Sequence, residues 1–311
     1  MLNQLQNLLA DAEAAIEADP ENEALIGQRT FFENQLERVQ LNATFVDRLR
    51  PRVASGDVAY LQRIVLTVDA NLWDDELYFW KNAMGMRVTR ETPDGACLAF
   101  GQETLDADDG GKAAVELRRG PPGARQLGNG LAHISLRVPY GVRVSRIYES
   151  GGELVYGFGY FDVRSPSGYA VRAAVAPRRD PVEYVAVNVE SVREAEKYYA
   201  ETFGMVGRAP LDLNGYAPKA PPGSRLMTFG EPNQTAGVLL QPLAAAVDDA
   251  SEGLKVGEVY SGVVFVRKEG GEPGVDAGGY AVGVEAYDEW EKTVAKGAAA
   301  LPAKYNAPPP A

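Results

Sequence analysis

A short pattern occurs twice in this chain, about 120 residues apart. The segment Tyr78–Met86 is echoed by Tyr198–Met205, and both copies end in Gly-Met. Each copy follows an apolar run with the composition of a strand, Ile64–Val68 in the first case and Val185–Val189 in the second. Because duplicated units repeat their secondary structure, the pattern predicts recurring strand–helix–strand modules.

Four such modules, each with the order βαβββ, are predicted from about residue 59 onward. The fourth is degenerate: either Val263–Val266 or Val282–Val284 fits its first strand, and both alternatives stay open. The sequence therefore predicts an α+β fold of paired βαβββ modules. We expect an N-terminal helical hairpin at 1–55, a first two-module domain at 59–178, a second degenerate domain at 181–301 and a Pro-rich tail at 302–311.

The N-terminal segment lies outside the repeat and has helical periodicity, with leucines and small residues recurring every three or four positions. Asp19-Pro20-Glu21 predicts the start of a second helix, and Pro51 is expected to mark its end. The hairpin either packs on its own domain or serves as a docking arm. We expect residues 1–50 to contact a protein partner or to form a dimer contact.

The charge, the apolar runs and the single cysteine limit the kinds of function that this chain can have. A net charge of -12 excludes nucleic-acid binding, which needs clustered Lys and Arg. No apolar run reaches 18 residues, so no membrane-spanning segment is expected. The one cysteine, Cys97, is expected to be a buried inert thiol and suits a reducing soluble compartment. This compartment is the cytosol, or an organelle stroma if a transit peptide precedes the sequence.

The strongest motif spans the junction of the first two modules. It comprises Ala114-Val115-Glu116-Leu117, a glycine-rich loop, Leu127-Gly128 and Ala132-His133-Ile134-Ser135-Leu136. It resembles the Val-Ile-Glu-Leu, Leu-Gly, Gly-His-Ile-Ala-Leu passage of the glyoxalase I/bleomycin-resistance/dioxygenase superfamily, also called the vicinal oxygen chelate superfamily. Ser165–Arg172 is similar to that superfamily's Asp-Pro-Asp-Gly-Tyr-Lys-Ile-Glu segment. The resemblance covers residues 59 to 245 and implies the glyoxalase fold.

The resemblance also implies a divalent metal held by four side chains, at positions that here are Arg63, Glu116, His133 and Arg172. A guanidinium accepts no hydrogen bond and stays protonated, so two of the four positions would repel a cation. The equivalent positions of the third module, Tyr184 and Leu239, offer no good ligand. We therefore expect no metal and no other cofactor. If a metal were bound, only Glu116 and His133 of these four residues could be its ligands.

Strand parity predicts that these four side chains face the concave side of the sheet, because the apolar residues between them face the helices. Members of the superfamily form a concave site either between adjacent modules or between modules one and four and modules two and three. If Arg63 and Arg172 share one site, we expect a weak anion site with Glu116 as counter-charge and His133 at its edge. In the second arrangement the four residues lie in two sites.

These expectations favour a non-catalytic protein that binds a small anionic ligand or acts as an assembly scaffold. The alternative is a lactoylglutathione lyase or related enzyme that uses zinc or nickel, with Glu116 as the catalytic carboxylate.

Overall fold

The computed structural model describes residues 2–20, 22–105, 110–123, 127–138, 141–176, 178–210, 218–229, 234–243, 253–257 and 260–299. The predicted tail at 302–311 lies outside these residues. The α-helices are α1 (Leu2–Ala18), α2 (Glu23–Ser55), α3 (Trp73–Tyr78), α4 (Val144–Glu149), α5 (Val192–Phe203) and α6 (Tyr287–Ala299). A 3₁₀ turn (Ala70–Leu72) precedes α3 and a π-helical turn (Phe79–Ala83) follows it.

The strands form two mixed sheets. They are β1 (Tyr60–Asp69), β2 (Arg87–Thr92), β3 (Gly95–Ala99), β4 (Ala114–Gly120), β5 (Leu131–Val138), β6 (Glu153–Tyr156), β7 (Phe161–Arg164), β8 (Ala170–Val175), β9 (Val182–Val189), β10 (Val206–Arg208), β11 (Arg225–Thr228), β12 (Gly237–Pro242), β13 (Tyr260–Arg267), β14 (Gly271–Val275) and β15 (Ala281–Ala286). The first sheet has the order β14-β15-β13-β1-β4-β3-β2, and the second has β10-β11-β12-β9-β5-β8-β7-β6. Two mixed sheets with helices confirm the predicted α+β class.

The first module shares its sheet with the fourth, because β1 pairs antiparallel with β13. The second module shares its sheet with the third through the antiparallel pair β5 and β9. The chain therefore adopts the second of the two arrangements left open by the sequence. The predicted division between 178 and 181 separates two modules that lie in one sheet. Of the two alternatives for the fourth module, Val263–Val266 is its first strand and Val282–Val284 lies in its last.

One apolar core lies between the helix-facing sides of both sheets. It contains Ile64, Leu66 and Val68 of β1 together with Ile134, Leu136 and Val138 of β5, as the strand parity predicts. The cysteine, Cys97, is fully buried on the opposite face of the first sheet.

The repeated Gly-Met marks the end of the helix in each copy. Gly85 and Gly204 adopt φ values of 81° and 69°, in the left-handed region that favours glycine. The methionines that follow, Met86 and Met205, are buried in the shared core. The repeat therefore encodes a helix stop followed by a side chain that fastens the returning strand.

The N-terminal hairpin is joined to the body by the last turns of α2. Asn22 rather than Asp19 caps this helix, since its side-chain oxygen accepts from the N–H groups of Ala24 and Leu25. The helix runs through Pro51 to Ser55, so the expected end at Pro51 is wrong; Gly56 terminates it with φ 89°. Leu49 and Val53 pack into a cluster with α6. No helix of the described segments is both long and apolar enough to cross a bilayer.

Candidate functional site

The two sheets separate the four candidate residues into pairs. Arg63 on β1 and Glu116 on β4 lie in the first sheet, whereas His133 on β5 and Arg172 on β8 lie in the second. All four point away from the shared core, because their neighbours Ile64, Val115, Ile134 and Val171 belong to it. Arg63 and Arg172 therefore do not share one anion site, which corrects that expectation. The two arginines occupy the concave faces of different sheets.

Strand register identifies the equivalent positions in all four modules. In each module, the candidate residue on the last strand pairs with a residue of the first strand, and this residue lies two positions after the first strand's own candidate residue. The paired residues are Val65–Glu116, Ser135–Arg172, Ala186–Leu239 and Val266–Glu285. The fourth module thus contributes Val264 and Glu285 to the concave face of the first sheet. Sequence reasoning missed Glu285, although Val284-Glu285 repeats Val115-Glu116.

On the concave face of the first sheet, Arg63 lies between two carboxylates. Its Nε–H donates to Glu116, and Nη1 donates to Glu285 at 3.0 Å and to the Gln62 side-chain oxygen at 2.8 Å. The second oxygen of Glu116 accepts from Arg118 Nε at 2.7 Å. A β-bulge between Leu61 and Arg63 is what brings the Gln62 and Arg63 side chains to the same face.

The ionic network extends from Gln62 to a second buried carboxylate, Glu103. Glu103 is fully buried and accepts hydrogen bonds from Gln62, Thr89 and Arg90. The sequence carried no sign of this group, since Glu103 belongs to no strand and no motif. The acidic and basic groups in the network are Arg63, Arg90, Arg118, Glu103, Glu116 and Glu285, so its formal charges balance.

The end of α2 and the helix α6 cover this concave face. Tyr60 and Val266, which point away from the shared core, pack against Trp290 and Val294 of α6 and against Val53 of α2. At its other end, α6 reaches β2, where a Cβ on Gly297 would lie 2.7 Å from the Cβ of Arg90. Helix α6 therefore crosses the first sheet from β15 to β2, and the ionic network lies beneath it.

The ion pairs around Arg63 favour the charged forms of Arg63, Glu116 and Glu285. Burial works to raise the pKa of Glu116, but the charges of Arg63 and Arg118 outweigh it and the pKa is lowered. The pKa of Glu285 is lowered in the same way, with burial opposed by Arg63. Burial works to lower the pKa of Arg63, and its two carboxylate partners raise it instead. The first sheet therefore holds a connected set of ion pairs on its concave face.

The concave face of the second sheet contains the histidine in a different environment. His133 is buried, and its ring lies edge-on to Tyr184 with centroids 5.7 Å apart. Its Nε2 atom is also buried, and it has no hydrogen-bond partner among the residues that the structure describes. Burial, and then the positive charge of Arg172, lower the pKa of His133 to about 3. The imidazole is therefore neutral at physiological pH.

Arg172 lies at the edge of this face and is partly exposed. Its Nε and Nη2 atoms donate to the two carboxylate oxygens of Asp162, at 2.8 and 3.2 Å, while the side chains are 21% and 27% exposed. The guanidinium also lies 5.6 Å from the centroid of the Tyr160 ring. Nη1 donates no hydrogen bond to the described part of the chain, so one edge of the group faces outward.

Apolar side chains and one further ion pair complete the second face. A cluster separate from the shared core joins strands β5, β9, β11 and β12 and contains Ala132, Tyr184, Ala186, Ala220, Leu226 and Leu239. Beside it, Glu183 accepts from Ser135 Oγ at 2.7 Å and from Arg137 Nε at 3.0 Å. This face therefore combines an apolar wall with a neutral imidazole and an outward-facing guanidinium.

The side chains at the implied metal positions do not fit a divalent cation. In the first sheet, both oxygens of Glu116 accept from guanidinium groups, and Arg63 supplies the positive charge between Glu116 and Glu285. In the second sheet, His133 has Arg172, Tyr184 and Leu239 at the three equivalent positions. Among the residues that the structure describes, no three His, Cys, Asp or Glu side chains are grouped as a metal site.

Comparison with solved structures shows the fold. Glyoxalase I from Zea mays superposes with a TM-score of 0.59 at 18% sequence identity, over 77% of this chain and 96% of that one. Two single-residue variants of the maize protein give TM-scores of 0.58 and 0.57 at the same identity. Neither a protein-family model nor a curated protein sequence matches the chain. The predicted glyoxalase fold is confirmed, and at this identity the likeness extends to the fold alone.

Proposed function

We propose that this protein binds a small organic acid, without a metal ion, on the concave face of the second sheet. The observation that carries the proposal is the buried Nε2 atom of His133, to which no described residue forms a hydrogen bond. A buried polar atom without a partner costs free energy, on the order of 1–3 kcal/mol, that a bound ligand can recover. On the concave face of the first sheet, guanidinium groups already occupy both oxygens of Glu116 and of Glu285, so these ion pairs serve the stability of the fold. Nη2 of Arg90 is also buried there without a hydrogen-bond partner in the described residues, but it lies beneath α6.

The chemistry of the second face defines the ligand class. Nη1 of Arg172 is directed away from Asp162 and suits a carboxylate oxygen. The neutral imidazole of His133 can either donate to or accept from a second polar group of the ligand. The walls formed by Tyr184 and Leu239 favour an aromatic or aliphatic body over a bare inorganic anion.

Affinity should be modest, because Arg172 already shares its charge with Asp162. The ligand would contact the side of the guanidinium that Asp162 does not occupy, together with apolar side chains. At this position it would not meet a cation that lacks a counter-charge. Sulfate would gain only the guanidinium contact, so an inorganic anion should bind more weakly than a larger organic acid.

The test is a thermal-shift titration at constant ionic strength, with benzoate and hexanoate as probes and sulfate and acetate as comparisons. We expect the two larger acids to raise the melting temperature of the wild type, and Arg172→Leu to lose at least half of that shift. Arg225→Leu is the matched control, because Arg225 pairs with Glu196 of α5 on the other side of the same sheet. Equal responses in the two arginine variants would contradict the proposal.

The same sample distinguishes binding from catalysis. We expect substoichiometric zinc and nickel by elemental analysis and no isomerisation of the methylglyoxal–glutathione hemithioacetal. One equivalent of either metal, with lyase activity that His133→Ala abolishes, would instead establish the enzyme.

A further inference from the structure

A further arginine faces the concave side of the second sheet. Arg208 of β10 pairs with Leu226 of the neighbouring antiparallel strand β11. Residues paired in this way point to the same face of a sheet, and Leu226 belongs to the apolar cluster of the concave face. The residue before it, Gly207, points the other way, since a Cβ there would meet the carboxylate of Glu196 on α5. Arg208 therefore lies on the same face as His133.

One line of paired residues connects this arginine to the histidine. The line crosses five strands in the order Arg208, Leu226, Leu239, Ala186 and His133. Its two ends are polar, and the three positions between them are apolar. At each end, one nitrogen is buried without a hydrogen-bond partner among the residues that the structure describes, Nε of Arg208 and Nε2 of His133. Polar groups at two separated points, with an apolar surface between them, suit an elongated ligand.

The charge of Arg208 distinguishes it from the other arginines of this face. The arginines of β5, β7 and β8 each pair with a carboxylate, Arg137 with Glu183, Arg164 with Glu153 and Arg172 with Asp162. Arg208 is half-buried, and no carboxylate in the described part of the chain lies within ion-pair distance of it. Because a half-buried guanidinium has lost part of its hydration, an anion that pairs with it is favoured.

Arg172 and Arg208 lie on opposite sides of the apolar positions. Five strand-to-strand steps separate β8 from β10 in the second sheet. At about 4.8 Å a step, their Cα atoms are roughly 25 Å apart or less along the sheet. The curvature of the concave face and the length of the two side chains bring the guanidinium groups closer together. One acid can therefore reach both arginines only if a chain of several carbons separates its two anionic groups.

We propose that the ligand of this face is an elongated dicarboxylic acid, held by Arg172 at one end and by Arg208 at the other. The inference rests on the proposed function, because it concerns the same face and keeps the contact with Arg172. A monocarboxylate held at Arg172 leaves Arg208 without a counter-charge. A second carboxylate supplies that charge, and the carbon chain between the two groups lies on Leu226 and Leu239.

The binding of two eight-carbon acids to the wild type tests the inference. Octanoate carries one carboxylate and suberate carries one at each end, so the two probes differ only at the far end of the chain. We expect thermal-shift titrations at constant ionic strength to give suberate a dissociation constant at least threefold lower than that of octanoate. Succinate is too short to reach both arginines and should bind no more tightly than acetate.

Substitution of Arg208 tests the contact itself. Arg208→Leu should bind octanoate as the wild type does and lose the preference for suberate, whereas Arg208→Lys keeps a positive charge and should retain part of the preference. Arg225→Leu is the matched control, because Arg225 lies on the neighbouring strand and pairs with Glu196 of α5. Without ligand, Arg208→Leu should melt no lower than the wild type, since it removes a buried nitrogen to which no described residue forms a hydrogen bond.

The results distinguish this inference from the proposed function. Octanoate binding that Arg172→Leu weakens, without a suberate preference that depends on Arg208, would overturn the inference and leave the proposed function standing. A lower melting temperature of unliganded Arg208→Leu would show that Arg208 serves the fold, and it would overturn the inference as well. If neither acid binds to the wild type, both the inference and the proposed function are wrong.

Discussion

At the scale of single residues, Glu116 combines burial with two guanidinium partners. Arg63 and Arg118 each donate to one of its oxygens, and the side chain is almost fully buried. Such a carboxylate stabilises the fold only while it is ionised, because a protonated carboxyl leaves two cations without their counter-charge.

We expect Glu116→Gln to lower the free energy of unfolding by about 3 kcal/mol at pH 7, because it leaves a buried charge partly unpaired. The lowered pKa of Glu116 gives this effect a pH dependence. The stabilisation is complete above the ordinary value of 4.5 and is lost as the pH falls through the lower pKa of the folded protein. Urea denaturation should therefore show a large difference between the variant and the wild type at pH 7, and this difference should shrink as the pH is lowered below 4.5.

The control is Glu153→Gln, which removes a carboxylate from an exposed pair with Arg164 at 3.9 Å. Such a pair is screened by solvent, so the variant should differ from the wild type by less than about 0.5 kcal/mol. Similar losses for the two variants would show that the pairing of Glu116 with Arg63 adds nothing.

Sequence reasoning predicted the faces of these residues but not their partners. A strand has a period of two, so apolar Ile64 and Ile134 were enough to place Arg63 and His133 on the opposite side. Asp162 and Glu285 could not be assigned, because a partner on another strand depends on strand register. For Glu285, the degenerate pattern of the fourth module also obscured the strand itself. The bulge that turns Gln62 toward Arg63 has no sequence signature of its own.

At the scale of secondary structure elements, α6 determines that the concave face of the first sheet is covered. Residues 288–296 have a helical pattern in the sequence, but the pattern does not give the position of the helix across the concave face, since an amphipathic helix can cover either side of a sheet. The aromatic contact between Trp290 and Tyr60, with centroids 6.1 Å apart, fixes the helix on that side.

Two glycines in helices provide a matched test of this position. An alanine at Gly297 would place its Cβ 2.7 Å from the Cβ of Arg90, so α6 or β2 must shift. We expect Gly297→Ala to destabilise the protein by about 1–3 kcal/mol, despite the better helix propensity of alanine. Gly27 in α2 has no atom within 4 Å of the equivalent position, so Gly27→Ala should not lower the melting temperature.

A melting temperature that rises in both glycine variants would mean that α6 does not press on β2. Differential scanning calorimetry measures both changes, and the unchanged far-ultraviolet circular dichroism of each variant shows that the helices are retained.

At the scale of the whole molecule, a short segment before β9 connects the two sheets. Arg179 is buried and donates to the carbonyls of Gly110 and Gly111, ahead of β4, and to that of Gln234, ahead of β12. Asp180 reinforces this connection by accepting from the N–H group of Ala113 at 2.9 Å. In the sequence, this region shows only a basic pair, Arg178-Arg179, between two modules.

We expect Arg179→Met to cost about 3 kcal/mol or more, because several buried carbonyl groups lose their donor at once. The loss should appear as one shifted transition in urea, since both sheets share an apolar core. Arg193→Met, on the exposed side of α5, is the control and should change stability by less than about 0.5 kcal/mol. A second transition in Arg179→Met would show that the sheets unfold separately.

The pairing of modules one and four also orders events during synthesis. The second sheet is encoded by one continuous stretch from β5 to β12, whereas the first sheet joins β1 to β13, with about 140 residues between the end of β4 and the start of β13. At ribosomal rates this interval lasts on the order of ten seconds. During that time β1 has left the exit tunnel, but the edge that will pair with β13 has no partner. Strands with an unpaired edge can pair with other chains. The first module is thus made first and completed last.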